Sequence, residues 1–171
     1  CLWASMKSGR SVKWTSDRTE AFLTDAHGRD HVTTAKIGFD TEGKIVGLKV
    51  NTKANLGAYM SLFSSAVPTY LYATLLSGQY DIANIYCDVQ AIYTNTVPVD
   101  AYRGAGRPEA CYVIERIMET AAREMGMDPA VLRAKNFVSS FPHQTPVIMA
   151  YDSGDFEANL KQAQAAADVA G

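Results

Sequence analysis

Two segments near the middle of the chain alternate apolar and polar residues with a period of two. They span residues 32–39 and 45–52, and residues 40–43 (DTEG) between them are of types that favour tight turns. This pattern predicts a β-hairpin. Residues 82–93 alternate in the same way and predict a further strand, and residues 11–15 predict a short additional one.

Apolar residues spaced three and four apart predict the principal helix. The stripe consists of Cys111, Ile114, Met118, Ala121 and Met125. We expect this stripe to face the core. Pro108 suits the first helical position, because its ring presets φ and its missing N–H is not needed in the first turn. Gly126 is a natural end for the helix.

Shorter helices are predicted at residues 2–7, 20–23, 67–76, 129–134 and 156–167. Asp17 or Thr19 would cap the second of these, and Asp128 the fourth, because side-chain oxygens accept hydrogen bonds from first-turn amides. No repeat, linker or low-complexity tract divides the chain. We therefore expect residues 1–171 to form a single α+β domain with a mixed sheet, in which several helices pack on the hairpin.

A glycine-rich loop runs straight into the principal helix. Gly104 and Gly106 allow backbone conformations that other residues resist, and Arg103 and Arg107 flank them. Since the N-terminus of a helix is electropositive, the loop could bind an anion; it could equally be a tight turn before a core helix. A nucleotide site is disfavoured, because Glu109 stands where a third glycine is needed and no lysine-serine or lysine-threonine pair follows.

Composition excludes several classes of protein. The apolar content is 47% and the formal net charge is −2, and lysines and arginines are scattered singly, so no nucleic-acid face is expected. No apolar run approaches the ~20 residues of a membrane helix. Cys1, Cys87 and Cys111 form no Cys-x-x-Cys pair, which argues against an iron–sulfur or zinc site and favours reduced thiols in a cytoplasmic protein. His27 and His31, four apart, read as part of a turn rather than as metal ligands.

Several motifs in one order resemble the large subunits of the molybdenum hydroxylases. These motifs are residues 101–109 (AYRGAGRPE), Glu115 with Arg116, residues 132–136 (LRAKN), residues 6–18 and residues 55–59 (NLGAY). The family includes xanthine dehydrogenase, aldehyde oxidase and aerobic carbon monoxide dehydrogenase, and the pattern is most similar to the last. The sequence lacks an initiator methionine and the glycine-rich cofactor motif that lies upstream in the family, so we expect a fragment of the molybdopterin-binding region.

The resemblance implies an oxidoreductase in which a molybdenum centre on a pterin dithiolene hydroxylates a carbon of a small-molecule substrate, with oxygen from water. Electrons would leave through iron–sulfur clusters and FAD on partner subunits or domains. The general base of the family lies near the far C-terminal end of the subunit, outside this sequence, so the isolated chain is expected to be inactive. The alternative is a non-catalytic assembly domain that kept the scaffold without the cofactor.

The resemblance also assigns roles within the loop. Arg103 would be the catalytic positioning residue, and Arg103, Gly104, Ala105 and Gly106 would contact the cofactor. Ala105 and Tyr102 would line the substrate pocket; Ala105 stands where purine-oxidising relatives carry phenylalanine. Gly104 stands where copper-dependent carbon monoxide oxidisers carry cysteine, so no copper and no protein metal ligand is expected. The Tyr102 hydroxyl would bond within the loop or, as we favour, the ring would pack beneath the helix.

Overall fold

A three-stranded mixed sheet forms the centre of the fold in the computed structural model, which describes residues 1–167. β1 (His31–Phe39) and β2 (Ile45–Gly57) form an antiparallel hairpin, and β3 (Ile85–Tyr93) lies parallel to β2. The even-numbered residues of β2 between Leu48 and Leu56 are buried, since alternate side chains of a strand share one face. The predicted hairpin, third strand and mixed-sheet fold class are confirmed.

The crossover between the parallel strands is less regular than predicted. We expected a helix over residues 67–76, but the helical stretch covers only residues 67–73, and its first part, Val67–Leu71, forms a π-helical turn. Beyond it the amides of Leu75 and Gly78 bond to carbonyls three residues earlier, at 3.2 and 3.0 Å. These tight turns bring Tyr72, Leu76 and Tyr80 into the core, where all three are fully buried.

The helices are α1 (Leu2–Ser8), α2 (Arg18–Thr24), α3 (Arg107–Glu124), α4 (Pro129–Asn136) and α5 (Phe156–Ala166), and a small hairpin pairs β4 (His143–Gln144) with β5 (Ala150–Tyr151). The predicted caps Asp17 and Asp128 accept hydrogen bonds from first-turn amides. The strand predicted at residues 11–15 is wrong. The segment is exposed and pairs with no strand within the described range.

Helix α3 packs on the sheet through a face that differs slightly from the predicted stripe. Ile114, Met118 and Ala121 are buried as expected. Cys111 and Met125 are exposed, and Ala110 takes the position at the start of the buried face. The helix begins at Arg107, one residue before the predicted start. Its most deeply buried residues, Ala110, Ile114, Met118 and Ala122, are spaced four apart, which leaves Cys111 off this line. No helix within residues 1–167 combines the length and apolarity needed to cross a bilayer.

Polar contacts join α3 to α4 beneath the core. The Arg133 guanidinium lies 2.8 Å from Glu115 Oε2 and 3.3 Å from Glu119 Oε2, and the Tyr80 hydroxyl donates to Glu115 Oε1 at 2.7 Å. Burial, reinforced by the Glu115 carboxylate, raises the pKa of Tyr80 far above its usual range. The motif residues Glu115 and Arg133 thus stabilise the packing of two helices.

Asn136, at the end of α4, fastens that helix to the hairpin. Its side chain is 1% exposed; Oδ1 accepts from the Ile45 amide at 2.9 Å, and Nδ2 donates to the carbonyls of Gly43 and Leu132, both at 2.9 Å. These bonds satisfy main-chain groups on both sides of the hairpin turn, which would otherwise be buried without partners.

We expect Asn136→Ala to lower the free energy of unfolding by about 2–4 kcal/mol, because it removes hydrogen bonds and leaves buried main-chain groups unpaired. Urea unfolding followed by far-UV circular dichroism measures the change. Asn159→Ala on the exposed side of α5 is the matched control and should stay within about 0.5 kcal/mol of the wild type. Equal losses in the two variants would contradict this role.

Candidate functional site

The loop before α3 contains three consecutive residues with positive φ. The values are 99° at Gly104, 40° at Ala105 and 91° at Gly106. Glycine adopts such angles freely, whereas for alanine they are uncommon and strained. The predicted conformational use of both glycines is confirmed. Strained main chain of this kind persists only where its surroundings hold it, and it is concentrated at functional sites.

Gly106 anchors the loop to the crossover. It is buried, and a Cβ atom there would lie 2.8 Å from the Val67 carbonyl oxygen and 2.7 Å from the Tyr72 nitrogen. Both are main-chain atoms next to the π-helical turn, so they cannot move aside as a side chain could. Only glycine therefore permits this contact, and α3 begins at the next residue.

The loop amides are only partly free. Ala105 N–H donates to the Tyr102 carbonyl at 2.8 Å, and Arg107 N–H donates to the Gly104 carbonyl at 3.1 Å. The N–H groups of Gly104 and Gly106 have no acceptor within residues 1–167. Since Gly106 is buried and Gly104 is half-buried, Gly104 offers the more accessible free donor.

A segment far away in sequence braces the loop from one side. The His27 amide donates to the Pro98 carbonyl at 2.8 Å, and the Asp100 amide donates to the His27 carbonyl at 2.7 Å. A Cβ atom on Gly28 would lie 2.6 Å from Tyr102 Cβ, so glycine is required there as well. The main chain at residues 27–28 and the main chain at residues 98–102 are thus held against each other just before the glycine-rich loop.

Arg29 contacts the loop and the first turn of α3 through its guanidinium group. Its Nη2 donates to the Arg103 carbonyl, its guanidinium carbon lies 4.8 Å from the centre of the Tyr102 ring, and its Nε lies 3.9 Å from Glu109 Oε2. A guanidinium above an aromatic face is attracted by the ring quadrupole. Sequence reasoning treated this segment only as a turn and missed Arg29, because no local pattern reports a contact across 74 positions.

Asp100 joins the loop to the segment after β2. Its carboxylate accepts from the Ser61 hydroxyl, from the Phe63 amide at 3.2 Å and from the Ala101 amide at 2.6 Å. Desolvation raises the pKa of Asp100, but these hydrogen bonds outweigh it and hold the pKa below its usual value. The ionised carboxylate therefore acts as a structural acceptor.

The side chains predicted for the site mostly point to solvent. Arg103 and Arg107 are exposed, and Ala105 is half-buried. Tyr102 is 63% exposed and lies under the Arg29 guanidinium, so the prediction that its ring packs beneath the helix is wrong. Across residues 1–167, no three His, Cys, Asp or Glu side chains are grouped so as to hold a metal ion.

A groove of about 760 Å³ lies between β1 and α3, next to the loop. Its polar end is formed by Arg29, His31 and Glu109, and neither Tyr102 nor Ala105 lines it. His31 Nδ1 and Glu109 Oε2 are buried there without hydrogen-bond partners among the described residues. Burial lowers the pKa of His31, although the nearby carboxylates of Glu109 and Asp30 oppose this effect.

Several proteins of known function are similar in sequence to this chain. Carbon monoxide dehydrogenase large chain of Hydrogenophaga pseudoflava is 41% identical, over 96% of this chain and 21% of its own. The 6-hydroxypseudooxynicotine dehydrogenase complex subunit gamma of Paenarthrobacter nicotinovorans is 34% identical, over 81% of this chain and 17% of its own. The chain thus spans about a fifth of the length of these relatives.

Solved structures show the same fold. Reconstituted CO dehydrogenase from Oligotropha carboxidovorans superposes with a TM-score of 0.89 at 33% identity, covering 98% of this chain and 21% of that one. Quinoline 2-oxidoreductase from Pseudomonas putida 86 superposes with a TM-score of 0.90 at 26% identity, covering 98% and 22%. The family model of the molybdopterin cofactor-binding domain matches residues 1–137. Because this match covers most of the chain, the chain belongs to the molybdopterin cofactor-binding domain family.

Proposed function

We propose that this chain forms a wall of the molybdopterin site in the large subunit of a molybdenum hydroxylase. The whole enzyme would add an oxygen atom from water to a carbon of a small-molecule substrate. The observation that carries the proposal is the free Gly104 N–H, held in a strained loop at the electropositive end of the 18-residue α3 and flanked by exposed Arg103 and Arg107. Membership of the cofactor-binding family supports it.

The residues present fit an oxygen-rich, anionic group. The free N–H of Gly104 provides a donor that needs no rearrangement, and a preorganised donor stabilises developing negative charge better than mobile water does. Arg103 adds a positive charge that makes no ion pair within residues 1–167. When bound, the cofactor would supply the redox metal that accepts the electron pair of the substrate.

The substrate proposed is a small carbonyl compound or N-heterocycle rather than a purine. Relatives are named for molecules as different as carbon monoxide, nicotine and quinoline. Ala105 provides no aromatic side chain, whereas the phenylalanine that the resemblance places here in purine-oxidising relatives would stack on a purine ring. Ala105 and Tyr102 would form part of the substrate-facing surface of the loop.

The remaining parts of the reaction would come from outside this chain. Because the chain spans about a fifth of its relatives, we assign the general base to another part of the large subunit. Iron–sulfur clusters and FAD on partner subunits or domains would carry electrons away from the site.

We propose that the site binds no copper. Gly104 supplies no thiolate, and a Cβ atom on it would lie 2.7 Å from the Cδ and Cγ atoms of the Pro108 ring. The backbone at Gly104, with φ 99°, also disfavours any side chain. A cysteine at this position would therefore be strained in this particular loop, whatever metal is supplied.

In the full-length enzyme complex, we expect Arg103→Ala to lower turnover per bound molybdenum by about tenfold or more, because a charge near the developing oxyanion is lost. Molybdenum content should fall much less. Metal analysis and steady-state kinetics on the same preparations measure both quantities. Arg123→Ala, at an exposed side chain near the C-terminal end of α3, is the control. Unchanged activity per molybdenum in Arg103→Ala would refute the role of Arg103.

We expect Gly104→Cys in the same complex to bind no copper in proportion to molybdenum and to lower the melting temperature. The positive φ alone costs roughly 1–2 kcal/mol, and overlap with Pro108 adds to it. Calorimetry and metal analysis test this expectation. Gly104→Cys combined with Pro108→Ala removes the overlap and should recover part of the stability. Stoichiometric copper in the single variant, without loss of stability, would overturn the exclusion of copper.

A further inference from the structure

We propose that Arg29 is a positioning residue that fixes the Arg103–Gly104 peptide so that the Gly104 N–H points toward the cofactor. The inference rests on the proposed function and extends it to a residue outside the loop. It starts from one contact: Arg29 Nη2 donates to the Arg103 carbonyl oxygen, which belongs to the same peptide unit as the Gly104 amide.

Because the carbonyl and the N–H belong to one rigid peptide group, a contact that holds the carbonyl also fixes the direction of the N–H. The peptide bond is trans, and in a trans peptide the C=O and N–H groups point to opposite sides. A carbonyl held by the Arg29 guanidinium therefore directs the Gly104 N–H away from Arg29. Glycine could rotate this peptide easily, because both signs of φ are open to it. A brace on the carbonyl removes that freedom.

The contact partners of Arg29 favour the carbonyl over an ion pair. Its Nε lies 3.9 Å from Glu109 Oε2, which is too long for a hydrogen bond. That carboxylate oxygen is buried and has no hydrogen-bond partner in the described part of the chain. The hydrogen bond that Arg29 does make runs to the main chain of the loop. Its structural effect is therefore on the peptide plane rather than on Glu109.

Arginine suits this position because one guanidinium serves two partners at once. The guanidinium carbon lies over the Tyr102 ring, 4.8 Å from its centre, while Nη2 donates to the Arg103 carbonyl. A planar fork can do both at once, whereas the ammonium of lysine is a point charge without a plane to stack. Arg29 itself has φ 58°, an angle that a non-glycine residue adopts only when its surroundings hold it. The bonds of His27 to Pro98 and Asp100 hold this segment against the loop.

The test uses the full-length enzyme in its complex, with wild type, Arg29→Met, Arg29→Lys, Glu109→Gln and the control Arg123→Met. Three quantities are measured on each: molybdenum per subunit, the rate at which molybdenum is lost during dialysis, and kcat and KM per bound molybdenum. Melting temperatures identify variants whose folding is impaired. Ethylguanidinium added to Arg29→Met tests whether the missing group acts locally.

We expect Arg29→Met to lose molybdenum about tenfold faster than wild type and to show kcat about tenfold lower, with KM changed less than about threefold, because a misaligned donor fails mainly in the transition state. Ethylguanidinium should recover part of kcat. Arg29→Lys keeps the charge and stem, so it should fold and still release molybdenum faster than wild type. Glu109→Gln should stay within about twofold of wild type, since the amide has nearly the same shape and leaves the carbonyl contact of Arg29 in place.

Three results would overturn the inference. Arg29→Met could match Arg123→Met in kcat and metal loss, or Glu109→Gln could reproduce the defects of Arg29→Met and so assign them to the ion pair. If Arg29→Met melts early, Arg29→Lys decides, and wild-type behaviour in that variant refutes positioning. Wild-type enzyme that holds no molybdenum would instead refute the proposed function. That outcome is distinguishable because it appears before any variant is compared.

Discussion

The close approach of Gly106 to the main chain at the π-helical turn is the contact on which the rest of the site depends. No side chain separates the loop from Val67 and Tyr72 at this point, so the two backbones meet directly. Because α3 begins at the next residue, the same contact sets where the helix starts relative to the sheet. The inward face of α3, through Ile114 and Met118, then completes the core. The conformation of the loop and the packing of the core therefore depend on the same contact.

The motifs that identify the family divide into two physical classes. Glu115, Arg133 and Asn136 make hydrogen bonds that join α3, α4 and the hairpin turn. Residues 102–106 leave main-chain donors and exposed charge at one edge of that framework. The strained conformation of the second class is held instead by the close contact of Gly106 with the crossover and by the hydrogen bonds of His27 and Asp100, since positive φ at Ala105 survives only on a rigid support.

Local patterns were sufficient for most of the fold. The hairpin, the caps Asp17 and Asp128 and the end of α3 near Gly126 follow from interactions within a few residues, so sequence alone predicts them. The isolated strand at residues 11–15 failed because strand formation depends on a partner, which no local pattern specifies. The π-helical turn replaced an α-helix for a similar reason, since its geometry is set by tertiary contacts.

The site was predictable only in its loop. Gly104 and Gly106 can be recognised from residue type alone. Arg29 contacts the loop from 74 positions away, and Tyr102 lies under that guanidinium rather than beneath α3, and neither contact follows from a local pattern. Burial of Cys111 was predicted from spacing alone, but the buried side of α3 runs through Ala110 and Ile114, and Cys111 lies about 100° around the axis from Ala110 and is exposed. An error of one residue position therefore places a side chain on a different side of the helix.

The conformation of Ala105 has a consequence for which loop positions of this chain can accept a different side chain. Positions 104 and 106 are closed to side chains by the Pro108 ring and by main chain, whereas position 105 already carries a Cβ in its left-handed geometry. A different side chain at position 105 can therefore keep the φ that Ala105 already adopts, whereas one at 104 or 106 must also displace the Pro108 ring or main chain. Among residues 104–106 of this chain, position 105 is thus the one at which a Cβ atom is already accommodated.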